Sequence, residues 1–108
     1  MIEILQNKEN TEKIEFFASD NGETLGRCAG EIRDGVFVFD TLECDEFFAD
    51  GLVRAILNLM DLHGVQSARF ELPEEALAVL KKLRIIKDGS AEIPSIPEFF
   101  GDKCCGCK

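Results

Sequence analysis

The hydrophobic period of this chain changes once, and that change limits the folds open to it. Up to residue 43 the apolar residues come in short β-type runs: "KIEFFAS" (13–19), "TLGRCAGEI" (24–32) and "VFVFDTLE" (36–43). Asn21-Gly22 and Asp34-Gly35 separate these runs, and both dipeptides suit the positive φ angles of a two-residue hairpin turn. A three-strand antiparallel meander is therefore expected, with its Val/Phe-rich last strand central. From Asp50 to His63 the apolar residues Leu52, Ala55, Ile56, Leu59 and Met60 recur at helical spacing. Asp50 suits an N-cap and Gly64 a left-handed C′ position.

A strand, "VQSARFEL" (65–72), comes next. Pro73 opens a second helix, with Glu74 and Glu75 in its first turn and Lys81, Lys82 and Arg84 near its end, matching the helix dipole. Residues 85–93 suggest a last strand interrupted at Asp88-Gly89. Ser95 to Glu98 has capping-box spacing and suggests one turn of helix through Phe100. A β-α-β step after a meander implies an α+β fold: a central mixed, mostly antiparallel sheet with helices packed on its faces. We expect a single domain over 1–103 and a cysteine-rich tail over 104–108. On the two helices, Leu52, Ile56, Leu59, Leu77 and Leu80 are the expected core positions.

Composition narrows the function. The net charge is −9, from 21 acids against 12 bases. Such a surface repels phosphate backbones, so nucleic acid is excluded as a partner. It also opposes anionic ligands wherever no local site overrides the field. No apolar run reaches the roughly 20 residues of a membrane span, and the N-terminus lacks a signal-peptide pattern. Five unevenly placed cysteines fit a reducing, cytoplasmic setting.

The stretch from Val36 to Leu72, followed by "LAVLKKLRI", resembles the core of the Gcn5-related N-acetyltransferases (GNAT). The matching pieces are Leu42-Glu43-Cys44-Asp45, Gly51 with Leu52, and Lys82-Leu83-Arg84-Ile85. The resemblance covers roughly residues 14–93. It implies a GNAT-like fold, shortened at the N-terminus, because only "MIEILQNKENTE" precedes the meander where the family has a strand and two helices. It implies a cleft between the strand ending at Cys44 and the strand 65–72. Acetyl-coenzyme A or coenzyme A would lie there against Cys44, with its diphosphate on the amides of Gly51, Leu52 and Val53. Glu43 would be the candidate general base.

The sequence departs from the family pattern at several points that bear on activity. Phe48 stands where a basic residue or Gln is expected, Val53 replaces a small residue, and Asp50 places a carboxylate beside the expected diphosphate. Ala78 and Val79 occupy the stretch that usually holds an acidic tyrosine, and the chain has no tyrosine at all. The resemblance therefore implies a GNAT-like domain with weak or no acetyltransferase activity. His63, the only histidine, fits a helix cap.

The cysteines carry a separate expectation. With a regular hairpin, Cys28 falls opposite Thr41 and Cys44 opposite Leu25, an offset of roughly 10 Å that no disulfide spans. Both read as small, buried or half-buried side chains. The tail "KCCGCK" places Cys104, Cys105 and Cys107 within four residues, flanked by Lys103 and Lys108. Thiolates there suit zinc or another soft metal, with the remaining ligands coming from a second protomer or a protein partner. The alternative function is thus a non-catalytic protein acting through this tail.

Overall fold

The computed structural model describes residues 2–9, 12–87 and 89–105, the last five by their backbone alone. Six strands form one sheet in the order of the chain, β1-β2-β3-β4-β5-β6. They are β1 (Ile2–Gln6), β2 (Ile14–Asp20), β3 (Glu23–Arg33), β4 (Val36–Glu43), β5 (Ser67–Phe70) and β6 (Glu92–Ile93). The helices are α1 (Glu46–Leu62), α2 (Glu74–Lys82) and α3 (Ile96–Cys105). Every neighbouring pair is antiparallel except β4–β5, which is parallel. A parallel pair needs a long crossover, and α1 supplies it.

Both hairpin turns form where the sequence places them. Asn21 and Gly22 have φ of 52° and 85°, and Asp34 and Gly35 have 51° and 81°. Two consecutive positive φ values are what a tight turn needs to follow the twist of its strands. Other boundaries move. The expected last strand shrinks to two residues, and the expected single turn after Ser95 becomes the ten-residue α3. Ser95 Oγ accepts a hydrogen bond from the Glu98 amide at 3.3 Å, one half of the anticipated capping box. Because α3 continues through Cys105, the expected boundary at 103/104 falls inside a helix.

One apolar core joins all three helices to one face of the sheet. It contains Leu52, Ile56 and Met60 of α1, Leu80 of α2 and Ile96 of α3, packed on Ala18, Cys28, Phe37, Phe39 and Phe70. Leu59 and Leu77 are only partly buried at its margin. The rings of Phe39 and Phe70 stack across β4–β5 at 4.5 Å, and Phe37 meets Phe39 edge-on at 4.8 Å. The opposite face of the sheet carries charged pairs. There Lys13 binds Asp40, Arg33 binds Glu31 and Glu71, and Arg69 binds Glu71.

A single extra residue in β4 sets up the cleft. Ala29 pairs with Thr41 and Gly30 with Phe39, so Asp40 has no counterpart on β3. This bulge reverses the alternation of the strand. Phe37 and Phe39 face the helices, and beyond the bulge Leu42 and Cys44 do so too. Gly30 is required at this place, since a Cβ there would lie 2.1 Å from the Val38 carbonyl oxygen.

Candidate functional site

The parallel seam between β4 and β5 is bonded over only part of its length. Val36 to Phe39 pair with Ser67 to Phe70, and the Glu71 amide donates to the Phe39 carbonyl at 2.8 Å. Past that bond the strands part. β4 continues to Glu43 along β3, whereas the chain after β5 turns through Leu72 and Pro73 into α2. Pro73 has no amide proton and cannot extend the ladder.

A cavity of about 290 Å³ opens where the strands separate. Leu42 and Cys44 of the β4 end, Ala49 of α1, and Pro73, Ala76 and Val79 at α2 line it, with Glu75 as its charged member. The reversal at Asp40 is what turns Leu42 and Cys44 toward this space. It also turns Glu43 away. Glu43 Oε1 accepts a hydrogen bond from Arg27 Nε at 2.7 Å, and Arg27 Nη1 reaches Glu15 Oε2 at 3.3 Å. Glu15 is only 8% exposed and also accepts from Asn7 Nδ2 at 3.0 Å. Donating hydrogen bonds to Glu43 first, then to Glu15, raises the pKa of Arg27 despite some burial. Glu43, the expected general base, is thus half of an ion pair on the charged face and is not among the residues lining the cleft.

The residues expected to cradle a phosphate, Gly51, Leu52 and Val53, lie inside α1. Helix α1 begins at Glu46 with Asp45 as N-cap, not at Asp50. Gly51, Leu52 and Val53 lie in its second turn, where each amide is directed at a carbonyl one turn earlier. Leu52 and Val53 are fully buried in the core. Gly51 faces β1 instead, where a Cβ would meet Ile4 at 3.1 Å. Asp50 binds Arg54 at 2.7 Å, and the Arg54 guanidinium lies 4.9 Å from the centre of the Phe99 ring, tying α1 to α3.

The first turn of α1 is acidic. Asp45 makes no side-chain capping bond, and Glu46 lies in the first turn. Lys82 of α2 pairs with Glu46 at 2.9 Å. Glu74 and Glu75 begin α2 on the other side. Phe47, 72% exposed, projects from the same turn of α1.

Cys44 is half-buried in the cleft wall. Burial, helped by Asp45, pushes its thiol up to about 11, so it is neutral at physiological pH. Burial raises the pKa of Cys28 still further, with smaller contributions from Cys44 and Asp40. The bulge also corrects their expected spacing. Cys28 pairs with Leu42, not Thr41, which makes Cys44 its diagonal neighbour at about 7–8 Å. Both remain free thiols.

Val79, in the stretch where the resembled family has a tyrosine, lines the cavity but carries no hydroxyl. His63 is the exposed C-cap of α1, as its position suggested. The side chains of Cys104 and Cys105, and all of Cys107, lie outside the described residues. Among the described residues no cluster of three or more metal-ligating side chains exists, and no helix is long and apolar enough to cross a membrane.

Sequence reading missed the start of α1. Asp45-Glu46 carries the signal, an N-cap residue followed by an acid in the first turn.

Solved structures similar to this chain are acetyltransferases. The PaiA N-acetyltransferase from Thermoplasma acidophilum, in complex with coenzyme A, superposes with a TM-score of 0.62 at 13% identity, covering 81% of this chain and 64% of that one. The IAA acetyltransferase from Bacillus cereus gives 0.59 at 13% identity, covering 77% and 75%. An acetyltransferase assigned to the GNAT family from Desulfovibrio desulfuricans gives 0.56 at 11% identity, covering 68% and 54%. The chain spans about half the length of that last relative. No family profile and no curated protein sequence matches it. At these identities the likeness shows the fold: this chain has a GNAT-like, α+β architecture.

Proposed function

We propose that this protein is a GNAT-like domain with weak or no acetyltransferase activity, retaining at most weak binding of acyl-coenzyme A. The observation that carries this reading is the early start of α1, which takes the amides of Gly51, Leu52 and Val53 into helical bonding. The cleft between β4 and α2 has an apolar lining suited to an acyl-pantetheine arm. A diphosphate at its mouth would instead meet Asp45 and Glu46. An unpaired carboxylate a few ångströms from a phosphate costs on the order of 1 kcal/mol or more.

The catalytic groups are depleted too. Glu43 is turned to the other face, Cys44 is a neutral thiol, and no tyrosine is present. General acid–base catalysis needs a group within hydrogen-bond reach of the reacting proton. Glu75 is the cavity's one ionisable carboxylate. The cysteine usage supports a reducing, cytoplasmic setting.

Calorimetric titration with acetyl-coenzyme A tests this reading. High-micromolar or weaker affinity is expected, with no release of free coenzyme A in the presence of primary amines. Low-micromolar binding with turnover would overturn it.

A second, separable reading rests on the sequence alone. Three cysteines among the last five residues, between two lysines, support a soft-metal or partner-binding role for Cys104, Cys105 and Cys107. Zinc uptake by the reduced protein tests it.

A further inference from the structure

The sheet ends in an unprotected strand. β1 pairs with β2 on one side and, among the described residues, with no strand on the other. The Asn7 amide donates to the Glu15 carbonyl at 2.8 Å, which makes these two a hydrogen-bonded pair of the antiparallel ladder. Such pairs alternate, so Glu3 and Leu5 direct their N–H and C=O to β2, and Ile2, Ile4 and Gln6 direct theirs outward. Natural edge strands are usually blunted by lysine, proline or a bulge. β1, Ile-Glu-Ile-Leu-Gln, has none of these, and its register with β2 is unbroken.

The surface beside this edge is uncharged and largely apolar. Phe47, Gly51, Ala55, Asn58 and Leu62 recur at helical spacing and share one face of α1. That face adjoins β1, since Gly51 lies against Ile4. On it Phe47 and Leu62 are 72% and 75% exposed, and Ile2 and Leu5 of β1 are exposed too. These are four of the five large apolar side chains left exposed among the described residues. The charged residues of α1, which are Glu46, Asp50, Arg54 and Asp61, fall outside the stripe.

Charge and symmetry select the occupant. Two copies of a chain at net charge −9 repel each other over most of their surface. Residues 2–8 hold one acid, Glu3, and one base, Lys8, and the α1 stripe holds neither. Here two copies approach with little repulsion. The edge is also self-complementary. Antiparallel pairing about a two-fold axis at Ile4 sets Ile4 beside its own mate and Ile2 beside Gln6 of the second copy. Every outward N–H and C=O of β1 then has a partner, and Glu3 sits opposite Leu5 of the second copy, away from its own mate. We propose that this protein forms a homodimer by antiparallel addition of β1 to β1 of a second copy, joining two six-stranded sheets into one and covering the α1 stripes beside the seam.

Sedimentation equilibrium of the full chain tests this, with reductant and chelator present to silence the cysteine tail. A dimer is expected with a dissociation constant of roughly 10–100 μM, the weak range of a small interface. Raising salt from about 0.05 to about 0.5 M should tighten it several-fold, because screening relieves the repulsion between acidic copies. Hydrogen exchange read by NMR locates the contact. The amides of Ile4 and Gln6 should be protected at high protein concentration and exchange freely at low, while those of Leu5 and Asn7 stay protected at both. Gln6→Pro removes one outward donor and no bond to β2, and should weaken the dimer roughly tenfold or more. Phe47→Asp, at an exposed site in the first turn of α1, should weaken it by a similar factor with circular dichroism unchanged. A chain that stays monomeric at about 1 mM overturns the proposal and leaves the edge to a different partner. So does a dimer that keeps its affinity in both variants, or one without protection at Ile4 and Gln6, since it is built on another face.

Discussion

The two ends of the β4–β5 seam are built from the same strand and behave differently. At the start, Phe37 and Phe39 pack against Ala68 and Phe70, all buried in the core. At the other end Leu42 and Cys44 border open space, because Asp40 adds a residue to β4 and Pro73 ends the run of β5. The closed end is the core of the protein. The open end is a cleft lined by apolar side chains and Glu75.

Truncating each end in turn gives the largest contrast. Phe39→Ala should cost about 3–5 kcal/mol of stability, the usual range for an aromatic removed from a packed core. Leu42→Ala, at the half-buried cleft wall, should cost about 1 kcal/mol. Urea unfolding followed by circular dichroism measures both. Equal losses would mean that the cleft is packed as tightly as the core.

The acidic rim can be separated from the helix interior by a second pair of variants. Asp45→Asn with Glu46→Gln should improve acetyl-coenzyme A affinity several-fold, at a stability cost of about 0.3–1 kcal/mol per lost N-terminal charge. Asp50→Gly with Val53→Gly should not improve it. That pair removes a buried side chain and the Arg54 ion pair, and each glycine weakens the helix by about 1 kcal/mol. Improved binding only in the second pair would restore the phosphate cradle at Gly51 to Val53.

The bulge has its own electrostatic anchor. Burial pushes the Asp40 carboxyl up, but hydrogen bonds from Lys13 and Thr41 outweigh it, so its pKa is lowered on folding. A carboxyl with a lowered folded pKa stabilises the fold above its unfolded value, about 3.9. That stabilisation disappears as pH falls through the lower folded value. Lys13→Met should therefore cost up to about 1 kcal/mol at pH 7 and less below pH of about 4. Denaturation midpoints at pH 7 and pH 3 decide it, and an equal loss at both would deny Asp40 this part.

The smallest effect on the fold belongs to the tail. Replacing Cys104, Cys105 and Cys107 with Ser should abolish zinc uptake while leaving the melting temperature unchanged. Uptake that survives the triple change would remove the metal reading.

Much of this fold could be read before any coordinates. Asn21-Gly22 and Asp34-Gly35 set both hairpins, because few other residue pairs tolerate two positive φ angles in succession. The helical stripe through Leu52, Ile56 and Met60 fixed α1 as the crossover, and a crossover of that length forces β4 and β5 to be parallel. Those are local signals, written in residue type and spacing.

The site was less legible. An unpaired residue at Asp40 leaves no mark in the hydrophobic pattern, since Phe39, Asp40, Thr41 and Leu42 read equally well as plain alternation. Only the pairing with Ala29 and Gly30 reveals the insertion, and with it the direction of Glu43, Leu42 and Cys44. The start of α1 was ambiguous in the same way, since Asp45 and Asp50 are both acceptable N-caps. Sequence determined the number and kind of elements, because backbone propensity and periodicity act within a few residues. Tertiary structure decided which side chains meet in the cleft, because strand register and helix entry depend on contacts between residues far apart in the chain.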